Sequence, residues 1–342
     1  MLYRILCLFI FAVVSIHANA QEDTDSLRAL YIQEYPDRFS VWPVLKQRDL
    51  NFTLRGKGSQ KARINYSPNN AFTFGFGAYL FDLVVEATFA IPLSEKSKTI
   101  YGESSATDLQ ANILAKKFAA DVYYQKYQGF YIDDKTMNIP ADTPYPQRSD
   151  IITRNTGLGA AYVLNHRRFS LRSAFNYVDR QLHSRGSVLI GGSLNTYKIS
   201  ADSAIIFTRP QNDLGPSSDF RNIKSTTLAV SAGYSYTFIY RHFFINGTLA
   251  TGPGRSWINY ETPASTQYDA MFNLITTLRV GIGYNNDRFF GGIGYSAQSR
   301  SVNFDDLRLT TTSSLFRAVI GYRFNEFGIL KKRASDLVSY RF

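Results

Sequence analysis

The chain has 342 residues, a formal charge of +11, 15% aromatic residues (26 Phe and 23 Tyr) and one cysteine. A lone cysteine excludes a disulfide scaffold and a multi-cysteine metal site. The basic residues are spread along the chain rather than gathered in one stripe, which argues against nucleic acid and leaves attraction to anionic surfaces such as lipopolysaccharide phosphates.

Arg4, an apolar run from Ile5 to Ile16 and Ala18-Asn19-Ala20 follow one another in the order of a cleaved secretory signal. Residues 1–20 are therefore expected to be removed, Cys7 with them. Residues 21–48 read as an N-terminal periplasmic segment or a first strand, with Pro36 and Pro43 against a long central strand.

From 49 to 326 the chain alternates with a period of two, which puts successive side chains on opposite faces of a strand. The clearest unit is a hairpin over residues 107–132 turning at Lys116-Lys117. Leu109, Ala111 and Ile113, then Phe118, Ala120, Val122 and Tyr124, make one apolar face; Asp108, Gln110, Asn112 and Asp121 lie on the other. Further hairpins are predicted at Phe72–Ile91 with a turn at Phe81-Asp82, at Thr156–Tyr177 with a turn at Asn165-His166-Arg167, at Leu228–Leu249 and at Phe272–Tyr295, followed by a strand ending at Phe324. Short turns at 81, 116, 166, 241 and 286 alternate with longer segments at 92–106, 132–154, 179–225, 252–270 and 299–313. Outer-membrane barrels pair short periplasmic turns with long external loops. The fold class expected is all-β: a transmembrane antiparallel up-and-down barrel of about 12 strands, with 10 to 14 as alternatives. Val188, Ile190, Gly192 and Leu194 read as one strand more. Val338, Tyr340 and Phe342 leave residues 327–342 as either a C-terminal tail or a closing strand.

Asp108-Leu109-Gln110, Lys117-Phe118, Asp121, the run Tyr124 to Tyr131 and Tyr66-Ser67-Pro68-Asn69-Asn70 resemble a domain-of-unknown-function family of outer-membrane barrels from Bacteroidota, as do Ser187–Ser193 and Gly233–Phe238. The resemblance implies a barrel in the cell outer membrane and brings no activity with it.

Strand parity points Glu86, Lys116, Asp121, Arg172, Arg279, Arg317 and Arg323 into the lumen. They are either charged rings that guide solutes or a salt-bridged filling. Tyr124, Tyr127, Phe130 and Tyr131 are expected in an aromatic belt at the outer interface. His183, expected at the outer rim with Asp179, Arg180 and Ser184, is the one catalytic candidate, although adjacent residues on a strand face opposite ways. His166 and His242 read as solvated turn residues, and Asp133-Asp134 and Asp305-Asp306 as solvated pairs. No metal or cofactor is expected. The function read from the chain is a passive small-solute channel or an envelope structural or binding component, the alternative being a barrel enzyme acting on lipid A or phospholipid. The expected partners are outer-membrane lipid, lipopolysaccharide and the barrel assembly machinery.

Overall fold

The structure is a computed structural model that describes residues 22–56, 63–80, 83–133, 139–140, 142–206, 220–261, 266–304 and 307–325. The expected signal, the Phe81-Asp82 turn, Asp134, Asp305-Asp306 and the segment 327–342 lie outside these. In chain order the elements are α1 (Glu22–Tyr31), β1 (Ile32–Gln33), β2 (Arg38–Gly56), β3 (Arg63–Ser67), β4 (Thr73–Leu80), β5 (Leu83–Ala90), α2 (Glu95–Tyr101), β6 (Ser105–Leu114), β7 (Phe118–Ile132), β8 (Gln147–Val163), α3 (Leu171–Phe175), β9 (Arg180–Gln181), β10 (Arg185–Ser200), β11 (Asn222–Tyr240), β12 (Phe243–Glu261), β13 (Thr266–Asn285), β14 (Phe289–Phe304) and β15 (Leu307–Asn325).

Thirteen strands form one antiparallel sheet, and ten of them close a ring in the order β2-β3-β7-β8-β10-β11-β12-β13-β14-β15. The seal between β15 and β2 runs from Leu307↔Gly56 to Asn325↔Arg38. The wall thus closes with the strand that carries Phe324, and its first strand starts at Arg38, inside the 21–48 stretch that reads as a periplasmic segment or a first strand. Three strands stand beside the ring: β4 pairs with the lower part of β2, β5 with β4, and β6 with β7. The two ends of the barrel are called here the base, where β2 begins and β15 ends, and the crown.

Period-two sorting is strict. On β11, Leu228, Val230, Tyr234, Tyr236, Phe238 and Tyr240 are exposed, while Ile223, Ser225, Thr227, Ser235 and Thr237 are buried. The outward column from Leu228 to Tyr240 is long enough for the roughly 9 to 11 residues with which a tilted strand crosses hydrocarbon. Around the wall Phe89, Leu109, Ile190, Leu249, Phe272, Ile293 and Ile320 continue this exposed apolar belt. Aromatics border it at the base: Tyr240, Phe243, Phe289 and Phe324 are exposed, and Tyr284 and Tyr322 pack edge-on against Phe243 and Phe289. A belt of this kind faces lipid. No helix among the described residues is long and apolar enough to cross a membrane.

Three expectations are corrected here. The segment 169–177 is not a strand: it leaves the wall after β8 as a short helix, and β8 pairs instead with β10. The stretches 252–270 and 299–313 are not loops. They continue β12 into β13 and β14 into β15, joined by connections of a few residues. Both carry the wall above the apolar belt, where outward positions turn polar and the alternation of hydrophobicity fades.

The third correction concerns β7. Gly129 has φ +84, and the β7–β8 register shifts between Gln128 and Phe130. Such a bulge resets which side chains face inward. Tyr127 was inward before it, and Phe130 and Ile132 are inward after it, all three buried. A Cβ at Gly129 would lie 2.3 Å from the Glu103 carbonyl oxygen. Gly129→Ala is expected to cost about 1 to 3 kcal/mol, read as a lower temperature for loss of the compact, fast-migrating form in gel-shift assays.

Candidate functional site

The lumen is built in three layers. At the crown, inward residues of the wall form an apolar core: Leu50, Phe52, Leu54, Ile64, Tyr66, Phe130, Ile132, Ile199, Ile258, Phe304 and Leu309 are all buried. Phe52 stacks on Tyr66 with ring centroids 4.5 Å apart. The connection after β10 folds into this core through Ile205, Ile206 and Phe220. Arg148 holds it there, pairing with Asp150 at 2.8 Å while donating to the Ala204 carbonyl at 2.8 Å and to Ser203 Oγ at 2.9 Å.

Below lies a polar layer. The Tyr123 hydroxyl accepts from Arg300 Nη2 at 2.9 Å and from Asn195 Nδ2 at 3.0 Å. Asn195 also donates to Asn155, and Asn155 to Gln125. Asp108 accepts from Gln125, from the Tyr127 hydroxyl at 2.9 Å and from Arg48 at 2.8 Å. Tyr127, expected at the membrane interface, is thus a luminal hydrogen-bond donor.

The base is filled by the chain between β8 and β10. Phe169, Leu171 and Ala174 are buried, Phe169 beside Val163 and Leu189, and Tyr177 stacks on Phe290 at 5.1 Å. Because Val163, Leu189, Phe244 and Phe290 face inward, this segment sits inside the ring. The wall's charges hold it. Arg317 donates to the Phe175 carbonyl at 2.9 Å and pairs with Glu86. Arg323 donates to the Tyr177 carbonyl and to Asn285 Oδ1. Asn285 in turn donates to the Asp179 carbonyl. Glu86 also pairs with Lys46 and accepts from Trp42 Nε1 at 2.8 Å.

At the centre of the base is Asp179, fully buried. It accepts from Ser170 Oγ at 2.6 Å and from Arg28 at 3.1 Å, and pairs with Arg172 at 3.3 Å. Arg28 comes from α1, so Asp179 ties the N-terminal helix to the luminal segment. The short sheet β1–β9, with Ile32 opposite Gln181, makes a second tie. Glu34 makes a third, pairing with Arg28 at 2.6 Å and with Lys116 at 2.8 Å.

Of the predicted lumen residues, Glu86, Asp121, Arg279, Arg317 and Arg323 lie on the inner face of the wall. Asp121 is opposite Gly159, and the Arg279 guanidinium lies 5.9 Å over the Phe175 ring. Two are placed otherwise. Arg172 belongs to α3 within the lumen, not to the wall, and Lys116 sits at the basal rim on Glu34. Of the predicted interface aromatics, Tyr124 faces outward, Tyr131 packs with Tyr101 and Tyr145 outside the lumen, and Tyr127 and Phe130 are buried inside. His183 lies at the base against Tyr31, ring centroids 5.8 Å apart, rather than at the outer rim. Ser184 Oγ accepts the Ile239 N–H at 2.8 Å and has no base in hydrogen-bond reach among the described residues. No cluster of three or more His, Cys, Asp or Glu converges among them.

Lys46 and Arg300 follow the inward parity of β2 and β14 and could have been found from it. The Arg28–Asp179 pair, 151 positions apart, has no local signal.

A family model, described as a domain of unknown function (DUF4421), matches residues 21–324. The chain belongs to this family. No protein with a curated description matches it. Among solved structures it is similar to the outer membrane protease OmpT from Escherichia coli (11% identity, 84% of this chain and 97% of that one, TM-score 0.42). It is also similar to the toluene transporter TodX of Pseudomonas putida (11%, 85% and 91%, TM-score 0.26) and to Ail, the attachment invasion locus protein of Yersinia pestis (14%, 61% and 97%, TM-score 0.23). Identity and superposition this low tie the family member to none of their activities.

Asp179→Asn leaves two guanidiniums at the base without their shared carboxylate. Breaking such a buried group costs about 3 to 5 kcal/mol, and proteolysis within 165–184 is expected to become rapid while the wall stays intact. Burial by itself would raise the Glu34 carboxyl, but Lys116 and Arg28 outweigh it and hold it below the usual carboxylate range. A depressed acid stabilises at pH above its unfolded value and loses that contribution as pH falls through the folded one. A nitroxide on exposed Leu30 should therefore become more mobile as pH falls through and below the usual carboxylate range. In Glu34→Gln this pH-dependent step in mobility should be lost, the Arg28–Asp179 and β1–β9 ties remaining.

Proposed function

We propose that this DUF4421 protein is an outer-membrane barrel that conducts no solute and serves the envelope through its outer wall and crown. The outer-membrane address is supported by the closed antiparallel ring, the exposed apolar belt and its aromatic border, together with the secretory signal read from residues 1–20. The base, with the short turns and both ends of the wall, is taken as periplasmic and the crown as external.

The observation that carries the reading is the filling of the lumen by the chain's own segments. The inward charges Glu86, Arg317 and Arg323 are spent on the luminal segment and on one another. An apolar core with Ile205, Ile206 and Phe220 occupies the crown. A water-filled channel needs polar walls free along its axis, and both ends of this lumen are taken. The enzyme alternative finds no nucleophile and base in reach of each other around His183 and Ser184 among the described residues.

Reconstituted into planar bilayers, the protein is expected to give no steady current. A stable, anion-biased conductance from the wild-type chain would overturn the reading.

A further inference from the structure

The outer wall near the crown carries four basic residues in one continuous row. Lys126 of β7 is the register partner of Arg154 on β8, Arg154 of Lys198 on β10, and Lys198 of Lys224 on β11. Their chain neighbours Gln125, Tyr127, Thr153, Asn155, Tyr197, Ile199, Ile223 and Ser225 are buried inward, so all four point out of the barrel. Among the described residues no salt bridge joins any of them to a carboxylate. Like charges directly opposite on neighbouring strands destabilise a sheet. The row spans three strand spacings, about 14 Å.

What lies beneath it gives the row a meaning. The next outward register is Tyr124, Thr156, Thr196 and Thr226, a line of hydroxyls, with Thr196 Oγ1 and Thr226 Oγ1 3.1 Å apart. The register below that is Val122, Leu158, Leu194 and Leu228, where the apolar belt begins, and then Ala120, Ala160, Gly192 and Val230. Across four strands the wall thus passes from cations to hydroxyls to aliphatic side chains, with a shallow strip of small residues below. That order matches a lipid standing upright in the leaflet: phosphate, then glycerol or sugar oxygens, then acyl chains.

We propose that this face is a binding site for a lipid of the external leaflet carrying more than one phosphate, its phosphates on Lys126, Arg154, Lys198 and Lys224 and its acyl chains along the belt below. The inference rests on the membrane reading above. Free phosphate would use the cations but none of the surface beneath them, and the width of the row suits several anionic groups. The attraction is electrostatic at an exposed surface, so salt weakens it.

The test uses the full chain in detergent micelles, titrated by native mass spectrometry with bisphosphorylated lipid A, with the same lipid after removal of its phosphates, and with inorganic phosphate as competitor. The wild type is expected to bind the bisphosphorylated lipid, to bind the dephosphorylated one at least tenfold more weakly, and to resist competition by millimolar phosphate. The variant K126Q/R154Q/K198Q/K224Q should lose tenfold or more in affinity, the charge-conserving variant R154K should keep it, and R167Q/R241Q at the base should bind as the wild type does. Equal binding by the fourfold variant, or equal binding of the dephosphorylated lipid, would overturn the site. Full displacement by inorganic phosphate would overturn a lipid ligand. Heat-dependent gel mobility of each variant checks its barrel separately: a wild type that stays soluble without detergent would remove the membrane reading and the site with it, whereas a folded barrel without lipid selectivity would remove only the site.

Discussion

A charge placed on the inner face of a closed barrel must be neutralised by something inside it, and in this protein the chain supplies that partner itself. Glu86, Lys46, Arg317 and Arg323 could line an aqueous pore. Instead they hold the segment between β8 and β10, which turns into the lumen with its aromatic residues against the inner wall and Asp179 at its centre. Truncating one member would leave a buried ion without its partner, which is why this network governs the base.

The same constraint orders the rest of the lumen. Away from the basal charges, the middle is satisfied by Tyr123, Asn155, Asn195, Gln125 and Arg300, and the crown by an apolar core that the Arg148–Asp150 pair helps to close. With the interior committed in this way, the surfaces left for partners are the crown and the outer wall. There the chain departs from a uniform lipid-facing belt by setting a row of cations above a row of hydroxyls.

Much of the wall was legible in the sequence because a period of two survives wherever one face meets lipid. The β6–β7 hairpin, its Lys116-Lys117 turn and the apolar columns of β11 to β15 follow from that pattern. It failed in three places for separate physical reasons. Phe169, Leu171, Phe175 and Tyr177 alternate, yet they bury that side by entering the lumen as a short helix, and periodicity over so few residues does not separate the two. Beyond the belt the outward positions turn polar while inward ones such as Ile258, Phe304 and Leu309 pack into the crown's core, so the lipid-facing pattern that marks β12 to β15 below stops there and those stretches looked like loops. A single bulge at Gly129 turned Phe130 inward, and nothing in a one-residue glycine announces a change of parity. The basal site was half visible: its inward arginines follow from register, while Arg28 and Asp179 meet only through the closed fold.

The central claim, a lumen sealed by its own chain, is tested most directly by asking whether water-borne reagents reach its middle. Gly294 faces inward, and a Cβ there would meet nothing nearer than the Val280 carbonyl oxygen at 3.7 Å, so a cysteine fits. With Cys7 replaced and the protein in sealed vesicles, Gly294→Cys should resist a membrane-impermeant maleimide applied from either side, and react once the barrel is unfolded. Rapid labelling of the folded protein from either side would contradict the account.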